Sequence, residues 1–155
     1  MRCGADNCYW PKIVVSYATM KKRISKYTPR EYKLSVRRSK TGKGLFAEET
    51  IPKGVCIIEY TGRVLSEKEM EEGKGKYFFE VNAKKMIDGN IPSNLARYIN
   101  HSCVPNCEAV GPRDKVFIFS RKRIMAGTEL TYDYGEEYFD VFIKPKGCRC
   151  EKHRA

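Results

Sequence analysis

Arg97-Tyr98-Ile99-Asn100-His101-Ser102-Cys103 is the stretch on which the reading of this chain turns. Around one aliphatic residue, Ile99, it gathers a guanidinium, a phenol, a carboxamide, an imidazole, a hydroxyl and a thiol. Asn100 and His101 side by side can offer side-chain and backbone groups to an adenine edge or another polar ligand. Taken alone, the pair reads first as a buried histidine with its bonds satisfied and second as a ligand contact. Downstream, Glu129-Leu130-Thr131-Tyr132-Asp133-Tyr134-Gly135 sets two tyrosines at i and i+2. On an extended strand those rings share a face and can line one cavity. Core tyrosines with their hydroxyls tied off are common too, and the neighbouring Asp133 and Gly135 weaken that plainer reading.

Two further segments carry chemistry. Thr41-Gly42-Lys43-Gly44-Leu45 holds a Gly-x-Gly, whose bare backbone can approach a ligand closely but which alone reads as a turn. It lacks the third glycine and the βαβ setting of a dinucleotide fingerprint, which disfavours a Rossmann fold. Cys148-Arg149-Cys150-Glu151-Lys152-His153 has metal-ligand spacing but three candidate ligands, where structural zinc takes four. Cys103 is the suggestive fourth.

Between these segments the pattern is one of short strands. Leu45 to Tyr60 reads as strand, turn and strand, with Pro52 and Gly54 shaping the turn. Ser66-Glu67-Lys68-Glu69 has the form of a capping box, and Gly73 is placed to end a short helix. Tyr77–Val81, Lys84–Asp88, Val116–Phe119 and Glu129–Tyr132 read as strands, and Leu95–Asn100 as one or two helical turns. The expected class is mainly β with few short helices.

The chain has 155 residues, 41% of them apolar and 12% aromatic, enough for one domain with a core. Thirty Lys and Arg against 19 Asp and Glu leave a net charge of +11, which invites acidic partners, nucleic acid first. Ten of those cations lie between Lys21 and Lys43, interleaved with Tyr27 and Tyr32, in a run that reads first as a solvated face or flexible arm and second as a nucleic-acid surface. Apolar runs such as Val55–Ile58 are far short of the roughly 20 residues that span a bilayer, and Met1–Trp10 does not read as a secretory signal. No membrane association is therefore expected. The seven cysteines, at 3, 8, 56, 103, 107, 148 and 150, are expected to be reduced thiols or metal ligands rather than a disulfide framework.

Together and in this order, the pieces resemble a SET-domain protein lysine methyltransferase. The resemblance rests on Gly42-Lys43-Gly44-Leu45-Phe46-Ala47, Glu59-Tyr60-Thr61-Gly62, Arg97–Cys103, Glu129–Gly135 and a Cys-x-Cys tail similar to a post-SET motif, and covers about residues 33–153. It implies a fold of small curved β-sheets with a pseudoknot that joins the Asn100-His101 segment to the Tyr134 segment. The implied divisions are a basic N-terminal extension (1–32), a SET domain (33–140) with a variable insert (65–94), and a post-SET-like tail (141–155).

The resemblance further implies S-adenosylmethionine as cofactor, held by Gly42, Lys43, Gly44, Tyr77, Arg97, Asn100, His101 and Tyr134. Tyr134 matches the catalytic tyrosine, Tyr60 a channel tyrosine that hydrogen-bonds the amine, and Tyr132 the position that limits the number of methyl groups, here mainly to one. Zn²⁺ on Cys103, Cys148, Cys150 and His153 is the expected metal site. The tail departs from the family spacing, because His153 stands three residues after Cys150 where a cysteine is usual five residues on. The expected partner is a protein carrying the target lysine, a histone tail or another basic segment, met by an acidic groove drawn from Glu67, Glu69, Glu71, Glu72, Glu129, Asp133, Glu136, Glu137 and Asp140. The basic arm is expected to contact DNA. The location follows as intracellular, in the nucleus of a eukaryote or the cytoplasm of a bacterium. The competing expectation is a basic, zinc-stabilised nucleic-acid or chromatin binding module without activity.

Overall fold

The computed structural model describes residues 26–72, 77–82, 84–112 and 114–153. Lys21–Ser25 of the basic arm, Cys3, Cys8 and the expected helix stop Gly73 lie outside them.

Ten short strands follow in chain order: β1 (Leu34–Ser39), β2 (Gly42–Ala47), β3 (Cys56–Tyr60), β4 (Arg63–Val64), β5 (Phe78–Asn82), β6 (Lys85–Asp88), β7 (Asn100–His101), β8 (Cys107–Val110), β9 (Val116–Ser120) and β10 (Thr131–Tyr132). Two short helices, α1 (Glu67–Glu72) and α2 (Glu136–Tyr138), are joined by a 3-10 turn at Leu95–Tyr98 and several irregular turns after residue 138. The mainly β class holds. The strands form an antiparallel β1-β2 hairpin, two three-stranded sheets in the orders β3-β9-β8 and β4-β6-β5, and a parallel β10-β7 pair.

Local chemistry explains several elements. At α1 the Ser66 backbone N–H and hydroxyl both donate to the Glu69 carboxylate, at 2.9 and 2.8 Å, and the Glu69 N–H reaches the Ser66 hydroxyl at 3.4 Å. These bonds, with Arg63, hold the Glu69 carboxyl down at about 2. The capping box is therefore formed as its sequence spacing requires. Leu95–Asn100 departs from expectation, because the helical turn stops at Tyr98 and Asn100 extends into β7. The cause is tertiary: Asn100 and His101 pair with Thr131 and Tyr132, a longer-range ladder than a helical turn can make.

The core gathers under the hairpin. Leu45, Ile99, Ile118, Ile124 and Leu130 are each at most 1% exposed. Leu130 donates its N–H to the Leu45 carbonyl at 2.8 Å, and Ala47 receives from and gives to the Gly127–Thr128 turn. The segment entering β10 is thus clamped against β2 on one side and β7 on the other. Leu45→Ala should cost about 3 kcal/mol and lower Tm by roughly 10 °C, read by thermal denaturation. A drop under about 3 °C would show that this clamp is not central to the core.

Candidate active site

Asn100 sits where three segments converge. Its Nδ2 reaches the Ser39 hydroxyl at 3.2 Å, the Lys43 carbonyl at 3.0 Å and the Glu129 carboxylate at 2.7 Å. It therefore ties the hairpin tip to the stretch leading into β10. Gly44 is needed at this junction, because a Cβ there would collide with the Glu129 carboxylate and the Ser39 side chain. Gly42 has φ +124°, open to glycine and rarely to other residues. The Gly-x-Gly is more than a turn: its second glycine permits close approach and its first supplies the backbone bend.

His101 is engaged inside the protein. The Tyr134 N–H donates to its Nδ1 at 3.2 Å, which leaves the proton on Nε2, 3.3 Å from the Cys103 sulfur. Its side chain is 6% exposed, and burial holds its pKa below the usual histidine value despite Asp133 nearby. A bound molecule can therefore meet His101 through its backbone, while its ring links the tyrosine strand to the thiols.

Two clefts flank the hairpin tip. The larger, about 650 Å³, is lined by Val36, Arg37, Arg38, Lys43, Leu95 and Arg97 among others. In it Arg38 stands directly opposite Lys43 across the hairpin, a like-charge pairing that costs stability unless an anion sits nearby. The Arg97 guanidinium lies over the Tyr77 and Tyr98 rings, bonds Asn90 and the Tyr98 hydroxyl, and leaves a buried Nε without a partner. The smaller cleft, about 170 Å³, is bounded by Thr41, Asn100, His101, Glu129 and the tail residues Arg149–Glu151.

Between sheet and tail runs a set of aromatic rings. Tyr132 and Tyr134 lie 4.8 Å apart between centroids, Phe79 is 6.0 Å from Tyr132, and Tyr60 is 5.1 Å from Phe79. The shared face expected of Tyr132 and Tyr134 is formed. The Tyr134 hydroxyl donates to the Ile99 carbonyl at 2.6 Å and the Tyr60 hydroxyl to the Tyr77 carbonyl at 2.7 Å. Both phenols are pushed well above the ordinary tyrosine value by burial first and by neighbouring tyrosines or carboxylates second. Tyr132 is raised for the same reason, and its hydroxyl makes no hydrogen bond among the described residues. Each of Tyr60 and Tyr134 thus spends its proton on a backbone carbonyl and keeps acceptor capacity for an N–H donor, part of it at Tyr60 taken by the Asn94 side chain.

Cys103, Cys148, Cys150 and His153 place one ligand atom each within 4.8 Å of one another. The Cys103 and Cys148 sulfurs are 3.9 Å apart, and the Cys150 sulfur is 3.4 Å from His153 Nδ1. At the usual zinc distances of about 2.3 Å to sulfur and 2.0 Å to nitrogen, tetrahedral edges come out at roughly these lengths. Burial and the neighbouring thiols push the Cys103 thiol up to about 12. Cys150 moves the other way: burial raises it, but hydrogen bonds from Cys103, His153 and Cys148 outweigh that and bring it down to about 6. The group therefore favours one thiolate, and a second is costly without a cation.

Sequence reading missed Glu129 as the partner of Asn100, Tyr98 as the stacking partner of Arg97, and Asn106, which receives the Thr131 N–H at 2.9 Å and donates to the Glu129 carbonyl at 2.7 Å. The Glu129 and Asn106 contacts are long-range and have no local spacing, whereas Arg97 and Tyr98 are chain neighbours whose stacking no periodicity marks. Tyr138 and Phe142 were missed as well, although with Tyr134 they recur at intervals of four. Of the acids expected in a groove, Glu69 is spent on α1, Glu129 on Asn100, and Asp133 accepts the Gly135 N–H at 3.0 Å.

Comparison with known proteins places these residues in a family. The SET domain model matches residues 42–135, from the Gly-x-Gly to the second tyrosine motif. Histone-lysine N-methyltransferase 2D of Homo sapiens is 40% identical over 111 residues, covering 64% of this chain and 2% of that protein. Histone-lysine N-methyltransferase set1 of Dictyostelium discoideum is 39% identical over 124 residues, covering 72% and 8%. A Schizosaccharomyces pombe protein named histone-lysine N-methyltransferase, H3 lysine-4 specific, is 39% identical over 104 residues, covering 59% and 11%. The chain thus spans about a tenth or less of the length of these curated relatives.

Proposed function

Because the chain belongs to the SET-domain family, we propose that it is an S-adenosylmethionine-dependent protein-lysine methyltransferase acting on a basic segment such as a histone tail. The observation that supports this is the aromatic set of Tyr60, Phe79, Tyr132 and Tyr134, with two phenols oriented by backbone carbonyls, in a fold whose hairpin tip is flanked by two clefts.

Residues 33–140 form the catalytic unit, with residues 65–94 as its variable insert and 141–155 as a tail closing the cofactor side. The unpartnered Arg97 Nε and the opposed Arg38 and Lys43 suit a carboxylate in the larger cleft. The ring of Tyr98 supplies apolar surface there, and Tyr77 lies against the Arg97 guanidinium. Thr41 and the backbone of Asn100 and His101 suit a polar base in the smaller one, while Gly42 and Lys43 border the larger. When bound, the cofactor supplies an electrophilic methyl group on a sulfonium.

The chain's own task is alignment and dryness. A lysine amine has a pKa near 10.4 in water and is mostly a non-nucleophilic ammonium at pH 7. A ring-lined passage disfavours that ammonium by desolvation. The Tyr60 and Tyr134 oxygens then accept the amine's N–H bonds and aim its lone pair. Neither phenol is a general base, since burial keeps both protonated.

The free hydroxyl of Tyr132 suits a water held beside the amine, which leaves room for little more than one methyl group. Tyr132→Phe should therefore convert a monomethyl product into dimethyl and trimethyl lysine. Mass spectra with unchanged product states would refute this assignment.

Zn²⁺ on Cys103, Cys148, Cys150 and His153 is the metal reading that the ligand geometry favours. The basic arm reading extends to DNA beside the substrate. The binding-module alternative has no observation in its favour that the enzyme reading lacks, whereas the oriented phenols have no purpose in it. Radiolabel transfer from the cofactor to a lysate protein or a histone, with the product lysine identified by mass spectrometry, tests the whole reading. Cofactor binding without transfer to any protein would overturn it.

A further inference from the structure

The turn that follows β10 has two differently employed sides. Phe139 faces the thiol cluster, its ring 5.4 Å from His101 and 6.5 Å from His153. That contact fixes how the rest of the turn is presented. Tyr134, Tyr138 and Phe142 recur at intervals of four, the spacing of one helical face. Their rings pack in succession, Tyr134 and Tyr138 edge to face and Tyr138 and Phe142 tilted, with centroids 5.1 and 4.8 Å apart. Along this ladder exposure climbs from the partly buried Tyr134 to 39% at Tyr138 and 53% at Phe142. Val141 beside it is 63% exposed. Three of the six large exposed hydrophobic residues among the described residues thus fall within five positions. Scattered apolar side chains are ordinary on a surface, but a contiguous group continuous with a functional site marks a binding face.

The rim of this face is acidic. Glu136 and Glu137 are exposed and form no ion pair among the described residues, whereas Asp140 is met by Lys144 at 2.9 Å. On a chain of net charge +11, two free carboxylates here select a cationic partner. The same charges disfavour nucleic acid and anionic membrane at this place.

We propose that the Tyr138–Phe142 ladder is the floor of a substrate groove that selects proteins with an aromatic or large aliphatic residue close to the target lysine and a basic residue near Glu136 and Glu137. The inference rests on the methyltransferase reading above and adds the substrate class. The ladder advances by about 5 Å per ring. An extended peptide covers about 3.3 Å per residue, so the apolar side chain belongs within roughly three residues of the lysine. Tyr138 and Phe142 are specificity residues in this account, not catalytic ones.

The test uses the full chain and a set of fluorescently labelled peptides centred on one lysine, each with one arginine. A single phenylalanine is scanned through the three positions on either side, with alanine as the reference. Binding is read by anisotropy and turnover by radiolabel transfer. One phenylalanine position should raise both affinity and kcat/KM about tenfold over alanine, as expected for one buried ring. In Phe142→Ala that ratio should fall below about twofold. Glu136→Lys with Glu137→Lys should raise KM for the arginine-bearing peptide severalfold. Turnover that is indifferent to phenylalanine at every position, or a preference that survives Phe142→Ala, overturns the groove and leaves the methyltransferase standing. A phenylalanine-dependent affinity without any methyl transfer upholds the groove and overturns the methyltransferase. Neither binding nor transfer overturns both.

Discussion

Tyr134→Phe should lower kcat by about a hundredfold or more, with cofactor affinity within about threefold of the parent. The hydroxyl removed is the one that donates to the Ile99 carbonyl at 2.6 Å, on a ring packed against those of Tyr132 and Tyr138. On the proposed reading its loss takes away the oxygen that would accept from the amine, and it leaves the Ile99 carbonyl without the Tyr134 donor, a penalty of about 1–3 kcal/mol. The backbone N–H of residue 134 still reaches His101 Nδ1, so the strand stays in place. Cofactor binding by calorimetry and turnover by radiolabel transfer separate the two effects. Equal losses of binding and turnover would mean that the residue shapes the cofactor cleft and does not orient the amine. Full activity would remove Tyr134 from the mechanism altogether.

Metal removal should be nearly as damaging by a different route. The purified chain is expected to carry about one zinc, and stripping it with a strong chelator should weaken cofactor binding more than tenfold. The reason is architectural. Arg149, Cys150 and Glu151 form one wall of the smaller cleft, and Cys150 belongs to the four-ligand group. Cys103 of the same group contacts the His101 ring, whose other nitrogen holds the Tyr134 backbone. Without a cation, four side chains that crowd within 4.8 Å lose the reason to stay together. Cys150→Ser should reproduce the loss of affinity, and added zinc should restore the chelated parent but not the variant. Metal analysis giving less than half a zinc per chain would refute the metal assignment. An intact affinity after complete stripping would refute its role in the cleft wall.

What could be read from sequence was what is local. Ser66 and Glu69 stand three apart, and their reciprocal bonds follow from helix geometry alone. Tyr132 and Tyr134 stand two apart, and the period of a strand puts them on one face. Cys148 and Cys150 stand two apart, a spacing that suits ligands of one metal ion, and their sulfurs do fall in one cluster. The helical turn over Leu95–Asn100 was drawn too long because nothing near Asn100 in sequence shows that its partner is Thr131. The turns after Gly135 were not anticipated either, though the four-residue interval of Tyr134, Tyr138 and Phe142 was present to be seen. Glu129 was counted as a surface acid, yet it is the partner that holds Asn100.

By itself, the sequence identified the family of this chain through the resemblance of its ordered motifs, and its mainly β class through residue type and spacing, which mark strands and turns. Only the tertiary structure decided that the His101 ring faces the thiols, that Tyr60 and Tyr134 give their protons to backbone carbonyls, and that a ladder of rings leads from Tyr134 out to an acidic rim. Those facts depend on hydrogen bonds and ring contacts between residues far apart in the chain. Their direction is set when the β10 segment packs between β2 and β7, and no local pattern encodes it.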